Sequence, residues 1–263
     1  MQPNNTVKTV ALVGLSFAAY YFLFENFKFI KTGLDTVTHQ GLLSYVLTYL
    51  IIGIPIFFGT YLADRETNIF KSLGLAANIP LATGLSILFT LPMFAGGWLS
   101  FSFNLQINLQ QLIAGTIVAG FMEELYFRGF LFGQLFRNTN LGFLPSIFFG
   151  ALIFASGHLY QSRDIGELSG IFAITFAGAV FFAWLYVEWN YNLWVSIFTH
   201  TLMNLSWHLF DMNHTALGDI KANVFRALTI IIAITCTVLY KKKKNKKLTI
   251  CRQTLMMQKK SNP

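Results

Sequence analysis

Charge is scarce in this sequence. Only 11% of its 263 residues are Asp, Glu, Lys or Arg, against about a quarter in an ordinary soluble domain. Hydrophobic residues make up 54% of the chain, with 28 Phe among them, which excludes a water-soluble enzyme and indicates a polytopic membrane protein. Cysteine is nearly absent too. Cys236 lies in the last apolar run and Cys251 in a basic tail, so a disulfide scaffold is excluded and both are expected as free thiols. There is no GxGxxG loop, no internal repeat and no low-complexity tract beyond a run of lysines. The zinc-protease signature HExxH is missing, and no Ser or Cys sits in a recognisable nucleophile setting.

What is present is a series of apolar runs long enough to cross a bilayer, which takes about 20 residues as a helix. Eight are expected, near 8–27, 42–63, 79–100, 110–132, 142–160, 168–188, 191–210 and 223–240. The fold class is therefore all-α, a polytopic transmembrane bundle of about eight spans. The fourth and seventh runs are the least hydrophobic. Four regions follow: residues 1–107 with three spans and a surface linker, a polar-bearing core at 108–208, a last loop and span at 209–240, and a basic tail at 241–263. The first run has no small-residue cleavage site after it and reads as a retained span. The linker Asp64 to Asn78 reads as an amphipathic piece on the membrane surface. Glycines such as Gly115, Gly120, Gly150 and Gly157 would permit close helix contact.

Net charge is +8, and much of it is in the tail (Lys241 to Lys244, Lys246, Lys247, Arg252, Lys259 and Lys260). Beside a span, such a tail marks the cytoplasmic side and touches anionic lipid; no nucleic-acid-binding pattern accompanies it. With eight spans, Lys8, Arg65, Lys71, Arg128 and Arg137 fall on the tail's side, and Lys28, Lys31, Arg163, Lys221 and Arg226 on the other. The carboxyl end is expected in the cytoplasm of a bacterial plasma membrane.

The fourth run contains AGFMEELYFRGF, which holds Glu123, Glu124 and Arg128. A charge at the bilayer centre costs about 2.5–3.5 kcal/mol on insertion scales, so these groups need partners or water. Glu124 and Arg128 are four apart, share a helix face and can pair. Glu123 is rotated about 100° from Glu124 on a regular helix and has Phe127 at its own i+4 position. His158 near the end of the fifth run, and His200 with Asn204 in the seventh, are the polar groups it could meet. Glu188, at a span end beside Trp189, is expected to reach water. A buried carboxylate can activate water, and imidazole and amide groups can stabilise the oxyanion formed at a peptide carbonyl. Glu123, His158 and His200 also suit a zinc ion. An ion network in a transporter, or polar contacts between helices, are the plainer readings of the same residues.

Glu123-Glu124-x-x-x-Arg128, Phe154-x-x-x-His158 and His200-x-x-x-Asn204, in that order over roughly 108–208, resemble the CPBP (Abi) family of intramembrane proteases. This family groups type II CAAX prenyl endopeptidases with bacteriocin-processing and immunity proteins. The resemblance implies an endopeptidase in which Glu123 activates water, His158 assists, His200 and Asn204 stabilise the oxyanion, and Glu124, Arg128 and Phe154 support the site. Its substrate would be a peptide or protein at the membrane, and the work processing or self-immunity. The family's mechanism is described both with and without a metal. A metal-free site is favoured here, with zinc as the alternative cofactor. A non-enzymatic scaffold binding a sensor kinase or toxin receptor is the alternative function. Phe121, Tyr126, Phe127 and Trp207 are candidate walls of the pocket, and His208 a candidate for its mouth.

Overall fold

Alternating apolar runs bounded by polar turns fold as antiparallel helices. The computed structural model describes residues 3–257, which are 78% helical and hold no strand. The helices are α1 (Pro3–Glu25), α2 (Phe27–Thr38), α3 (Gly41–Ile52), α4 (Ile54–Ala63), α5 (Ile69–Ser72), α6 (Ile79–Ser100), α7 (109–138), α8 (Phe143–Ser156), α9 (Ile165–Glu188), α10 (Leu193–Leu209), α11 (Ile220–Lys243) and the short α12 (Arg252–Leu255). α3 and α4 join at Gly53 into one span. Asn78, Asn108, Asp164, Asn192 and Asp219 begin α6, α7, α9, α10 and α11, each accepting a hydrogen bond from a first-turn backbone N–H. Such a cap is typically worth about 1 kcal/mol.

Contacts between helix ends sort the bundle into two faces. At one face, Lys8 shares a polar pocket with Asp64, Arg65 and Asn138. Arg137 donates to the Ser72 carbonyl and Asn192 to the Asn78 carbonyl, and Lys241 meets Glu188. This is the basic face. At the other, Asn104 binds the Leu209 carbonyl, Gln161 accepts from the Ala216 N–H and Thr215 donates to Glu167. Eight segments cross between the faces in alternation: α1, α3 with α4, α6, α7, α8, α9, α10 and α11.

Six of these crossings are long and apolar enough to span a membrane by length and composition. Of the other two, α10 and the charge-bearing stretch of α7 lie inside the bundle, while Leu109 and Ile117 near the start of α7 stay exposed. α10 has no fully exposed residue between Leu193 and Trp207, and residues 120–136 of α7 are likewise buried or half-buried. Helices without a lipid face need not be apolar all round, which accounts for their low hydropathy. Ser86 of α6 bonds Thr199 (2.9 Å) and the Val195 carbonyl (3.2 Å), and Ser196 bonds the Phe182 carbonyl of α9. α10 is thus tied to two neighbours by buried polar contacts.

The structure corrects three expectations. Arg128, assigned by sequence to a terminal segment on the tail's side, is fully buried in the middle of α7. Its apolar surroundings are tolerable because of the partners described below. The linker 64–78 does not lie on the surface throughout. Leu73 is fully buried, and Gly74, at φ +83°, approaches the Tyr191 carbonyl so closely that a Cβ would stand 2.4 Å from it. Glu188 does not reach water either. It is buried, paired with Lys241, and accepts the backbone N–H groups of Thr249 (3.1 Å) and Ile250 (2.8 Å). The segment after α11 therefore folds back on the bundle, where the Gly142 N–H donates to the Met256 carbonyl.

Candidate active site

The charged run of α7 does not form a regular α-helix. Residues Ala114–Val118 and Glu124–Phe132 adopt the wider π turn, a local form that recurs at functional sites. Glu124 and Arg128 remain on one side, with Arg128 Nη1 3.2 Å from Glu124 Oε1 and both side chains fully buried. The guanidinium lies over the Phe154 ring (4.4 Å to its centroid), with the Phe182 ring at 5.6 Å on α9. Among the described residues no hydrogen-bond partner meets the Arg128 nitrogens. Charge and two aromatic faces hold the group.

His200 reaches this pair from α10. Its Nδ1 lies 2.8 Å from Glu124 Oε1 and its ring stacks on Phe182 at 4.9 Å and 19°. A carboxylate facing Arg128 is an acceptor, so Nδ1 carries the donated proton and Nε2 is the free ring nitrogen. Nε2 points to Glu123 Oε2 at 3.8 Å, beyond hydrogen-bond length. Glycine makes the approach possible. A Cβ on Gly120 would stand 2.5 Å from Thr201 Oγ1 and 3.1 Å from the Thr201 backbone nitrogen, so α7 and α10 touch one turn before the glutamates.

The adjacent glutamates are in contrasting settings. Glu124 is sealed, whereas the Glu123 side chain is 26% exposed and, among the described residues, accepts no hydrogen bond. His158 follows the last turn of α8. Its Nδ1 is 2.8 Å from the Phe154 carbonyl, which can only accept, so its Nε2 is also the free nitrogen. Its ring contacts Phe154 (4.7 Å between centroids), and Phe154 contacts Phe127 and Arg128. Asn204 donates to the Gly115 carbonyl at 3.2 Å, across the first π stretch, leaving its second amide N–H for another acceptor.

The first and third motifs thus meet through His200, which faces both Glu123 and Glu124; the second joins through Phe154 on Arg128, with His158 reached by way of Phe154 and Asn204 one turn beyond His200. Two further residues have no sequence signature: Phe182, which orients both Arg128 and His200, and Thr201, which accommodates Gly120. Two expected wall residues lie elsewhere. Tyr126 is buried against Tyr20 and donates to the Tyr49 carbonyl. Trp207 packs on Arg226 and donates to the Asn213 carbonyl. His208, at the exposed end of α10, lies near Gly115.

A catalytic zinc ion takes three protein donors. Among the described residues no three of His, Cys, Asp and Glu gather in such a way. Glu123 and His200 face each other but His158 does not join them. Glu123, His158 and His200, the set named for zinc as the alternative cofactor, are not gathered in that way.

Residues 104–206 match the family model described as "Type II CAAX prenyl endopeptidase Rce1-like". This part of the chain is similar to that family. The Rce1-like segment contains Glu123, Glu124, Arg128, Phe154, His158, His200 and Asn204. A Bacillus subtilis protein described as "Putative membrane peptidase YdiL" is 32% identical over 96 residues, 35% of this chain and 34% of that protein. The chain thus spans about a third of the length of the curated relative it matches. α1 to α6, and α11 with the segment after it, lie outside the Rce1-like match.

Proposed function

We propose that the protein is an intramembrane endopeptidase that hydrolyses a peptide bond with water activated by Glu123. The observation that carries this reading is the contrast within the glutamate pair. Glu124 is sealed and tied to Arg128 and His200, while the side chain of its neighbour Glu123 keeps 26% exposure beside a fixed imidazole. Glu123 takes the proton of the attacking water. His158, with its Nδ1 proton committed to the Phe154 carbonyl, presents a lone pair on Nε2 that accepts from and orients that water. The second N–H of Asn204 faces the developing oxyanion, a term whose loss typically costs about 10²–10³ in rate, and His200, fixed by Glu124, borders the same space. The proton on Glu123 then passes to the leaving amine. No step needs a metal. The Rce1-like match and the membrane-peptidase description of the Bacillus subtilis relative support the same class. A CAAX-type chain end, a processed peptide or a bacteriocin are the substrate classes the resemblance suggests.

The test is Glu123→Gln in purified protein reconstituted into vesicles, with a peptide pool read by mass spectrometry. Loss of a positioned general base should lower cleavage by about 10²–10⁴-fold, with insertion and thermal unfolding unchanged. Full cleavage by Glu123→Gln removes the assignment. Protection or signalling that survives Glu123→Gln would favour the scaffold instead.

A further inference from the structure

Packing around the site differs toward the two faces. Toward the basic face the bundle is closed: Leu125, Tyr126, Arg128 and Phe130 of α7 are buried, as are residues 195–197 of α10 and 185–189 of α9. Toward the opposite face it is loose. Residues 201–205 of α10 are all half-exposed, as are Ala119 and residues 112–115 of α7. Glu123 sits at the boundary, and His158 lies at the end of α8 that belongs to the opposite face. The surroundings of Glu123 are therefore more open toward that face than toward the packed half.

The distribution of Lys and Arg orients the two faces. Lys8, Arg65, Lys71 and Arg137 share the basic face with the end of α11, where Lys242, Lys243, Lys244, Lys246 and Lys247 follow. An excess of Lys and Arg in short connections marks the cytoplasmic side. Each such residue near an anionic leaflet adds about 1 kcal/mol of attraction. On the opposite face Lys28, Lys31, Arg163, Lys221 and Arg226 are matched by Glu25, Asp35, Asp164, Glu167, Asp211 and Asp219.

We infer that the Glu123 cleft opens on the non-cytoplasmic face, so that its substrate is a peptide, or an exposed segment of a protein, presented on that outer side. The substrate rests on the hydrolase reading above; the direction of the cleft does not. A cytosolic chain end would have to cross the closed half of the bundle to be cut.

The chain carries one reporter of its own. Cys251 is exposed on the basic face, and hydrogen bonding from the Gln253 backbone N–H holds its thiol below the usual range, which favours the reactive thiolate. With Cys236→Ala, Cys251 remains as the basic-face probe. With Cys236→Ala and Cys251→Ser, Ser102→Cys probes the α6–α7 loop and Ala119→Cys probes the cleft, one turn from Glu123. The reagent is a charged, membrane-impermeant methanethiosulfonate applied to intact cells, permeabilised cells and inverted vesicles. Labelling of the Ser102→Cys and Ala119→Cys variants in intact cells, with Cys251 labelled only after permeabilisation, is the expected result. Labelling of Cys251 in intact cells overturns the orientation. An Ala119→Cys variant labelled only in inverted vesicles, or from neither side, overturns the open cleft. None of these readouts requires cleavage, so failure of the hydrolase reading in the Glu123→Gln assay is separable from failure here.

Discussion

Glu124→Gln tests whether the sealed ion cluster organises the site. The wild-type carboxylate neutralises Arg128 at 3.2 Å and accepts from His200 at 2.8 Å, with no exposure of either Glu124 or Arg128. The amide keeps the shape and removes the charge. Removing one partner of a buried pair leaves the other uncompensated, at about 3–5 kcal/mol. The charge-assisted bond to His200, worth about 1.5–3 kcal/mol, falls to the neutral value near 1. Thermal or denaturant unfolding in detergent should show a loss of a few kcal/mol. Cleavage should fall too, because an imidazole displaced by about 1 Å can cost about 10²-fold. A second variant separates the two effects. In Glu124→Gln/Arg128→Met both charges are gone, and an apolar replacement of a buried pair is often neutral. The double variant should be more stable than Glu124→Gln alone, with a coupling energy of about 2 kcal/mol or more, yet cleave no better. A stability loss under about 1 kcal/mol in the single variant, or additive effects in the cycle, would refute the reasoning.

Gly120→Ala places a methyl group 3.1–3.2 Å from the backbone of Thr201. α10 must recede, which should cost about 1–3 kcal/mol as overpacking and lower cleavage; wild-type behaviour in both assays would show that the approach is not tight. Glu188→Gln removes the acceptor shared by Lys241, Thr249 and Ile250 and leaves the ammonium unpaired. Limited proteolysis should cut the chain after α11 faster in that variant, while unchanged protection would show that Glu188 does not hold the tail.

The span positions were readable because lipid-facing helices must be apolar along their length. The pairing of Glu124 with Arg128 was readable because four residues make roughly one helical turn. Other features depend on tertiary packing and leave no spacing to find. The π stretches need neighbours that accept an extra residue per turn. α2 is too polar on one side to register as a span. Glu188 looked solvated because it ends a helix next to Trp189; its partners, Lys241 and the backbone at Thr249 and Ile250, come from a tail that reads as nothing more than a charge run. The bond from His200 to Glu124 joins residues on different spans, and the family resemblance placed His200 only at the oxyanion or among alternative zinc ligands.

The two helices poorest in hydropathy are the ones that bear the site, and the connection is causal. A helix facing lipid cannot carry Glu, Arg or His without a solvation cost. α10 and residues 120–136 of α7 are enclosed by neighbouring helices, so their polar groups see protein dipoles, aromatic faces and one another. Full screening would leave the glutamates equally dry and chemically idle. Instead the bundle is closed on one side of Glu123 and loose on the other, and neighbouring residues on one helix point to different surroundings. Glu124, turned into the closed half, holds the charge of Arg128 and the ring of His200. Glu123, on the side of the loose half, keeps the exposure that the proposed role of general base requires. The division of labour between two identical side chains follows from helix rotation and from which half of the bundle each one faces.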